Sequence, residues 1–259
     1  MRPSPLGRLS IALIVPVSLL AIWEVAVRLH VLPSSQAAAP TSVILTMVKL
    51  ISSGALLRHA LTSIYRIAAG LTIGTMSGVL SGVAIARSSI ADRLLSPTIQ
   101  LFAGIPVVVW IPFWVMLLGT DEAFKISMAA ITTFFLVHLQ TYTAVRGVGR
   151  PYLELAALYE KSHTEQLREV LLPSTAPAIL TGVRTSLALC WVVVFFVEYA
   201  SARYGSEGLG WFIADARQMG RIEQQFAGLL FLGFIAFAVD RVVGFVQTTL
   251  TRWTDVELH

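Results

Sequence analysis

Residues 149–173 read GRPYLELAALYEKSHTEQLREVLLP, the longest hydrophilic run in the chain, with long apolar segments on both sides. Within it Tyr152, Leu155, Ala156 and Tyr159 recur at i, i+3, i+4 and i+7, which predicts a short helix with one apolar face. Leu167, Val170 and Leu171 repeat the pattern. Between the two groups Ser162 precedes Glu165 by three residues, the spacing of a capping box that opens a second short helix. Pro173 marks where a third helix can begin, because its missing N–H is not needed in a first turn. The stretch predicts a docking surface made of two amphipathic helices, with nothing placed for covalent chemistry.

The rest of the chain says what that surface is attached to. Of 259 residues, 56% are hydrophobic and 13% charged, and the mean hydropathy is +0.74. These values exclude an ordinary soluble domain. Several windows near 20 residues carry few or no charges, the length that crosses a bilayer. The net charge of +4 is scattered, and no basic run with interleaved aromatics points to nucleic acid. Loop arginines beside lipid headgroups account for it. A single cysteine, Cys190, lies in an apolar segment, which rules out an internal disulfide framework or a cysteine-rich metal site.

Taken in order, the first span covers residues 9–27 as an uncleaved transmembrane helix, with Glu24 at the interface near Arg28. A Pro/Ser/Ala linker leads to residues 41–53, where Val43, Met47, Leu50 and Ile51 form one face of a short helix lying on the outer surface. The second span, 64–86, carries Gly70, Gly74, Gly78 and Gly82 at a strict spacing of four, which predicts a close helix contact. The third, 97–118, holds Pro97, Pro106 and Pro112 and reads as a kinked helix; Pro106, Trp110 and Pro112 are candidates for a gate or pathway. The fourth, 124–145, contains His138, read as a hydrogen-bonded structural residue. Spans at 175–197 and 226–245 complete six, and Arg252-Trp253 anchor the last one at its inner end. An outer re-entrant segment, 199–221, follows Glu198 and contains Gly205 and the turn Gly208-Leu209-Gly210. A carboxylate ending an apolar span needs solvent or a partner, and Arg203 is the nearest cation in sequence. Six spans put both termini and the 149–173 loop on one side, and the short tail and turns place that side in the cytoplasm.

Other classes fit less well. A membrane enzyme needs converging nucleophile–base or metal sets, but the five histidines are scattered, with no His-x-x-x-His pair. A stand-alone secondary transporter, the main alternative, would show internal repeats and buried ionisable groups for ion coupling.

The order of these features resembles the inner-membrane permeases of binding-protein-dependent ATP-binding-cassette importers, in their nitrate/sulfonate/taurine/bicarbonate branch. Their cytoplasmic coupling loop runs Glu-Ala-Ala, then Gly, then Leu-Pro. Glu154 and Ala156 stand at the Glu and second Ala, and Leu172-Pro173 at the closing pair, while Leu155 replaces the first Ala. Glu160 stands where the family has Gly, a residue suited to a left-handed helix end, so the hinge chemistry is not kept. Ile105-Pro106, Trp110-Ile111-Pro112, Gly119, Glu122 and Lys125 are similar to the branch's third-to-fourth span signature, and Thr181-Gly182 and Arg184 to the start of its fifth. The resemblance implies an all-α type I importer permease fold whose coupling helices lie between spans four and five. It implies contact with two cytoplasmic ATPase subunits through Tyr152, Glu154, Leu155, Ala156, Tyr159, Glu160, Ser162, Leu172 and Pro173. It further implies a periplasmic or lipid-anchored binding protein, a second permease copy, and uptake of a small anion or small polar solute. ATP and its Mg would lie on the partner, since no Gly-x-x-x-x-Gly-Lys-Ser/Thr loop exists here and this chain would bind no cofactor.

Overall fold

The computed structural model describes residues 5–33, 36–201 and 206–251, and among them every regular element is helical. In chain order these are α1 (Pro5–Arg28), α2 (Pro40–Ser52), α3 (Ala55–Arg87), α4 (Ser89–Ala103), α5 (Ile111–Leu118), α6 (Glu122–Gly147), α7 (Arg150–Leu158), α8 (His163–Gln166), α9 (Leu172–Ala200), α10 (Leu209–Gln218) and α11 (Ile222–Leu250). A single 3₁₀ turn, Val107–Trp110, precedes α5, and a π turn, Leu167–Leu171, precedes α9. Local chemistry sets several boundaries. Pro40 and Pro112 occupy the first turns of α2 and α5, where no N–H is required. The Ser88 hydroxyl accepts the Ala91 N–H at 3.2 Å to cap α4.

Four helical segments are long and apolar enough to cross a membrane: α3, α6, residues Thr164–Ala200 and α11. They become five if the bent pair α4–α5 is counted as one span. The stretch 9–27 falls on α1, whose Glu24 binds Arg28 at 2.6 Å and accepts the Thr41 N–H at 3.0 Å, tying it to α2. Arg252, Trp253, Arg203 and Gly205 lie outside the described residues.

Two expectations about helix continuity need correction. Residues 97–118 are not one kinked helix: Ser89–Ala103 and Val107–Leu118 meet at 92° across the break at 104–106. Pro106 bars helical geometry at Ile105 before it and supplies no N–H of its own, so the ladder ends rather than bends. Conversely, Pro173 stands in the first turn of α9 as expected, but that helix is not separate from the segment before it. Thr164–Ala200 runs as one helix of 37 residues. The π turn just before Pro173 takes up the change of hydrogen-bond register that a proline ring demands.

The centre of the fold is the parallel pair α3–α6. Gly70, Gly74, Gly78 and Gly82 are buried and meet Ala129, Thr133, Val137/His138 and Thr141 in matching steps of four. A Cβ on Gly78 would sit 3.0 Å from both the His138 N and the Phe134 O, so backbone approaches backbone directly. His138 hydrogen-bonds Ser81 at 2.9 Å across this seam. On its other side α6 packs antiparallel to α9, where the Cys190 thiol lies 3.4 Å from the Thr133 hydroxyl. Gly78→Leu should force the two backbones apart. A cost of about 1–3 kcal/mol follows from overpacking of this kind, visible as a lower melting temperature of the purified protein; an unchanged melt would show that the seam tolerates bulk.

Candidate functional site

Two groups of the residues singled out in the sequence lie at opposite ends of the bundle. At one end, α7 and the start of the long Thr164–Ala200 helix form the 149–173 loop. Ser162 and Glu165 bond reciprocally: the Glu165 carboxylate accepts the Ser162 N–H at 2.7 Å, and the Ser162 hydroxyl accepts the Glu165 N–H at 3.3 Å. Before it, α7 ends in a left-handed turn. Glu160 has φ +53°, and the Lys161 N–H reaches back to the Ala156 carbonyl at 3.1 Å, as in a Schellman motif. The hinge geometry is therefore kept although Glu replaces Gly.

Lys161 bridges to Glu169 at 2.9 Å, which fastens the two arms of the loop together and raises the ammonium pKa through that hydrogen bond and charge. The predicted apolar face divides. Ala156 is buried against the chain itself, whereas Tyr152, Leu155 and Tyr159 are exposed at 64%, 53% and 73%. All four border a groove of about 220 Å³ with Lys161, Glu169 and Val170. Glu154 is exposed, Leu172 half-buried and Pro173 exposed.

At the other end, Glu198 is buried near the end of α9 and organises a polar cluster. Its Oε1 accepts from Arg66 Nη1 at 2.6 Å, its Oε2 accepts the Gly210 N–H at 2.9 Å, and the Ser63 hydroxyl is 2.9 Å from both oxygens. Ser63 Oγ in turn accepts the Leu209 N–H at 2.9 Å, and His59 Nδ1 accepts the Gly208 N–H at 3.2 Å. Three N–H groups at the start of α10, which have no partner within the helix, thus find acceptors on α3 and α9. The carboxylate also faces the positive end of the α10 dipole. Gly208, at φ +128°, could carry no side chain here, since a Cβ would collide with Glu198 and lie 2.6 Å from Arg66 Nη1. A Cβ on Gly210 would meet the Phe195 carbonyl at 2.5 Å. Beyond this anchor Leu209, Phe212 and Ile213 enter the main core with Leu56, Trp191 and Phe231.

Among the described residues the cation that meets Glu198 is Arg66, 132 positions away; the nearby Arg203 singled out in the sequence lies outside them. Arg66 is itself buried, and its Nε and Nη2 grip the Glu122 carboxylate at 2.7 and 2.5 Å while Nη1 also donates to the Glu207 carbonyl at 2.7 Å. Glu122, half-exposed, also binds Lys125 at 3.2 Å. It forms part of a cleft of about 750 Å³ with Thr62, Tyr65, Asp121 and Glu207. The sequence signal for Arg66 was its place in an apolar run, where a lone charge demands an opposite one.

The remaining candidates are not part of this cluster. Pro106 lines a cavity of about 230 Å³ with Ile105, Thr132 and Leu189, and Trp110 an aromatic one of about 250 Å³ with Phe102, Phe113, Trp114 and Phe134. Pro112 opens α5. Among the described residues no three metal-ligating side chains converge.

A helical bundle with an amphipathic loop between α6 and the long Thr164–Ala200 helix is matched over residues 70–256 by the family described as "binding-protein-dependent transport system inner membrane component". The chain belongs to that family. A putative aliphatic sulfonates transport permease protein of Bacillus subtilis (strain 168) is 32% identical over 241 residues, covering 93% of this chain and 86% of the relative. A nitrate import permease protein of Leptolyngbya laminosa is 25% identical, over 72% of this chain and 66% of its own length. Among solved structures, the inward-facing MetNI methionine ABC transporter superposes with a TM-score of 0.60 at 16% identity, covering 73% of this chain and 93% of that one. The fold is that of a type I importer permease, and the chain is an importer's inner-membrane permease subunit rather than an enzyme. Membership implies ATPase and substrate-binding partners, and it displaces the stand-alone secondary transporter.

In this permease the left-handed residue gives a direct check of the loop. An L side chain there costs roughly 1–2 kcal/mol, and a β-branched one more. Glu160→Gly should match or exceed wild-type thermal stability, and Glu160→Val should fall below it. Equal melts for both variants would mean that the turn is not held left-handed.

Proposed function

We propose that this permease forms half of the translocation pore, as a homodimer served by two cytoplasmic ATPase subunits and an extracytoplasmic binding protein. In this reading the six spans are 9–27, 64–86, the broken 97–118 segment, 124–145, 175–197 and 226–245. Both termini and the 149–173 loop face the cytoplasm. The relatives named for sulfonate and nitrate support a small anion or small polar solute as cargo. ATP and Mg act on the partner subunits. Pro106 and Trp110, beside the break in the third span, line the pathway, where non-helical backbone at membrane depth is tolerated. Glu198 anchors α10 as an outer gate beneath the binding protein.

One observation carries the coupling assignment. Tyr152, Leu155 and Tyr159 expose an apolar edge on a loop whose second arm continues without a break into α9. Large exposed apolar side chains rimmed by charge mark a protein contact, and here any push on the contact acts directly on a transmembrane rod.

Leu155 is a better probe than Ala156, because Ala156 packs inside the chain and its replacement would perturb the loop itself. Leu155→Asp should leave the isolated permease folded. An unpaired charge buried at the ATPase interface costs about 3 kcal/mol, on the order of a hundredfold in affinity. The ATPase subunit should therefore be lost on purification of the tagged variant, together with transport. Retention of the subunit at wild-type yield would refute the docking assignment.

A further inference from the structure

The cluster at the α10 end contains one residue that touches both a water-facing carboxylate and the buried anchor. We propose that Arg66 is a positioning residue for coupling: it holds Glu198 against the start of α10, so that events at the outer cleft and at the coupling loop act on the same carboxylate. This rests on the importer reading given above.

Glu198 stands near the far end of the helix that begins at Thr164, in the coupling loop. That helix, at 1.5 Å per residue, is about 55 Å long. A displacement or rotation of the loop therefore reaches Glu198 through continuous helix. There the carboxylate meets the Gly210 N–H and Arg66, so α10 follows Glu198 as long as Arg66 keeps it oriented. The opposite edge of the same guanidinium is clamped by both oxygens of Glu122, which is half-exposed in the 750 Å³ cleft between Tyr65, Asp121 and Glu207. A binding protein that draws on Glu122 loosens or reorients Arg66, and with it the hold on Glu198. A planar guanidinium can reach Glu122, Glu198 and the Glu207 carbonyl at once. A lysine ammonium on the same stem can reach only part of this set.

The test is ATP hydrolysis by the whole reconstituted complex, with and without its binding protein, alongside the melting temperature. Arg66→Lys retains the charge that Glu198 needs. It should assemble, raise basal hydrolysis, and reduce stimulation by the binding protein about fivefold or more, within the range of ordinary coupling energies. Glu122→Gln frees only the cleft-facing edge and should reduce stimulation in the same direction with the melting temperature unchanged. A purely structural Arg66 would lower stability and both rates together, leaving their ratio as in wild type, and that result would overturn the proposal. If Arg66→Lys does not assemble, Glu122→Gln decides alone, and wild-type stimulation in it overturns the proposal. A wild-type complex with no stimulation at all would overturn the importer reading and this proposal with it.

Discussion

The structure depends on one buried ion pair, Arg66 with Glu198. Removing either partner of such a pair typically costs about 3–5 kcal/mol, because the other charge is left without compensation. The surrounding architecture supplies that compensation. Ser63, the Gly208-Leu209-Gly210 turn and Glu122 are arranged so that each oxygen of Glu198 and both edges of the guanidinium are satisfied. This demands that four segments distant in sequence meet at one point: α3, α6, the end of α9 and the start of α10. It also explains the two glycines of the turn, since any side chain there would occupy the space of the carboxylate.

From that point the fold extends as two rigid connections to the opposite end. The glycine seam makes α3 and α6 move as a pair, because their backbones are in contact and cannot slide without large rearrangement. The second connection is the Thr164–Ala200 helix, which joins the 149–173 loop to the anchor. The place where its register changes is the π turn at Leu167–Leu171, within the loop and far from Glu198. The break between α4 and α5 lies beside Thr132 and Leu136 of α6 and leaves both connections intact.

What could be read from the sequence follows the range of the interactions involved. The glycine stripe and the capping box at Ser162 and Glu165 are local patterns with a fixed period or spacing, and their geometry was legible. The buried pair was only half legible. Glu198 announced a need for a cation, but nothing local in the sequence points to Arg66, which the fold brings from 132 residues away. The prolines were legible as breaks and ambiguous in degree. Pro106 follows Gly104-Ile105 and ends a helix, whereas Pro173 is absorbed by a widened turn. Glu160 shows a converse case: its residue type argued against a left-handed turn that backbone bonds and the Ser162 cap nevertheless enforce.

In the function proposed above, the 149–173 loop and the α10 anchor are mechanically one unit. Hydrogen exchange in the assembled importer, with and without ATP, tests it most directly. The amides of Gly208, Leu209 and Gly210 are bonded to His59, Ser63 and Glu198, so any movement of the anchor changes their protection. Binding of ATP should alter exchange in residues 149–173 and in residues 206–218 together. A change confined to 149–173, with 206–218 as protected as before, would contradict the claim.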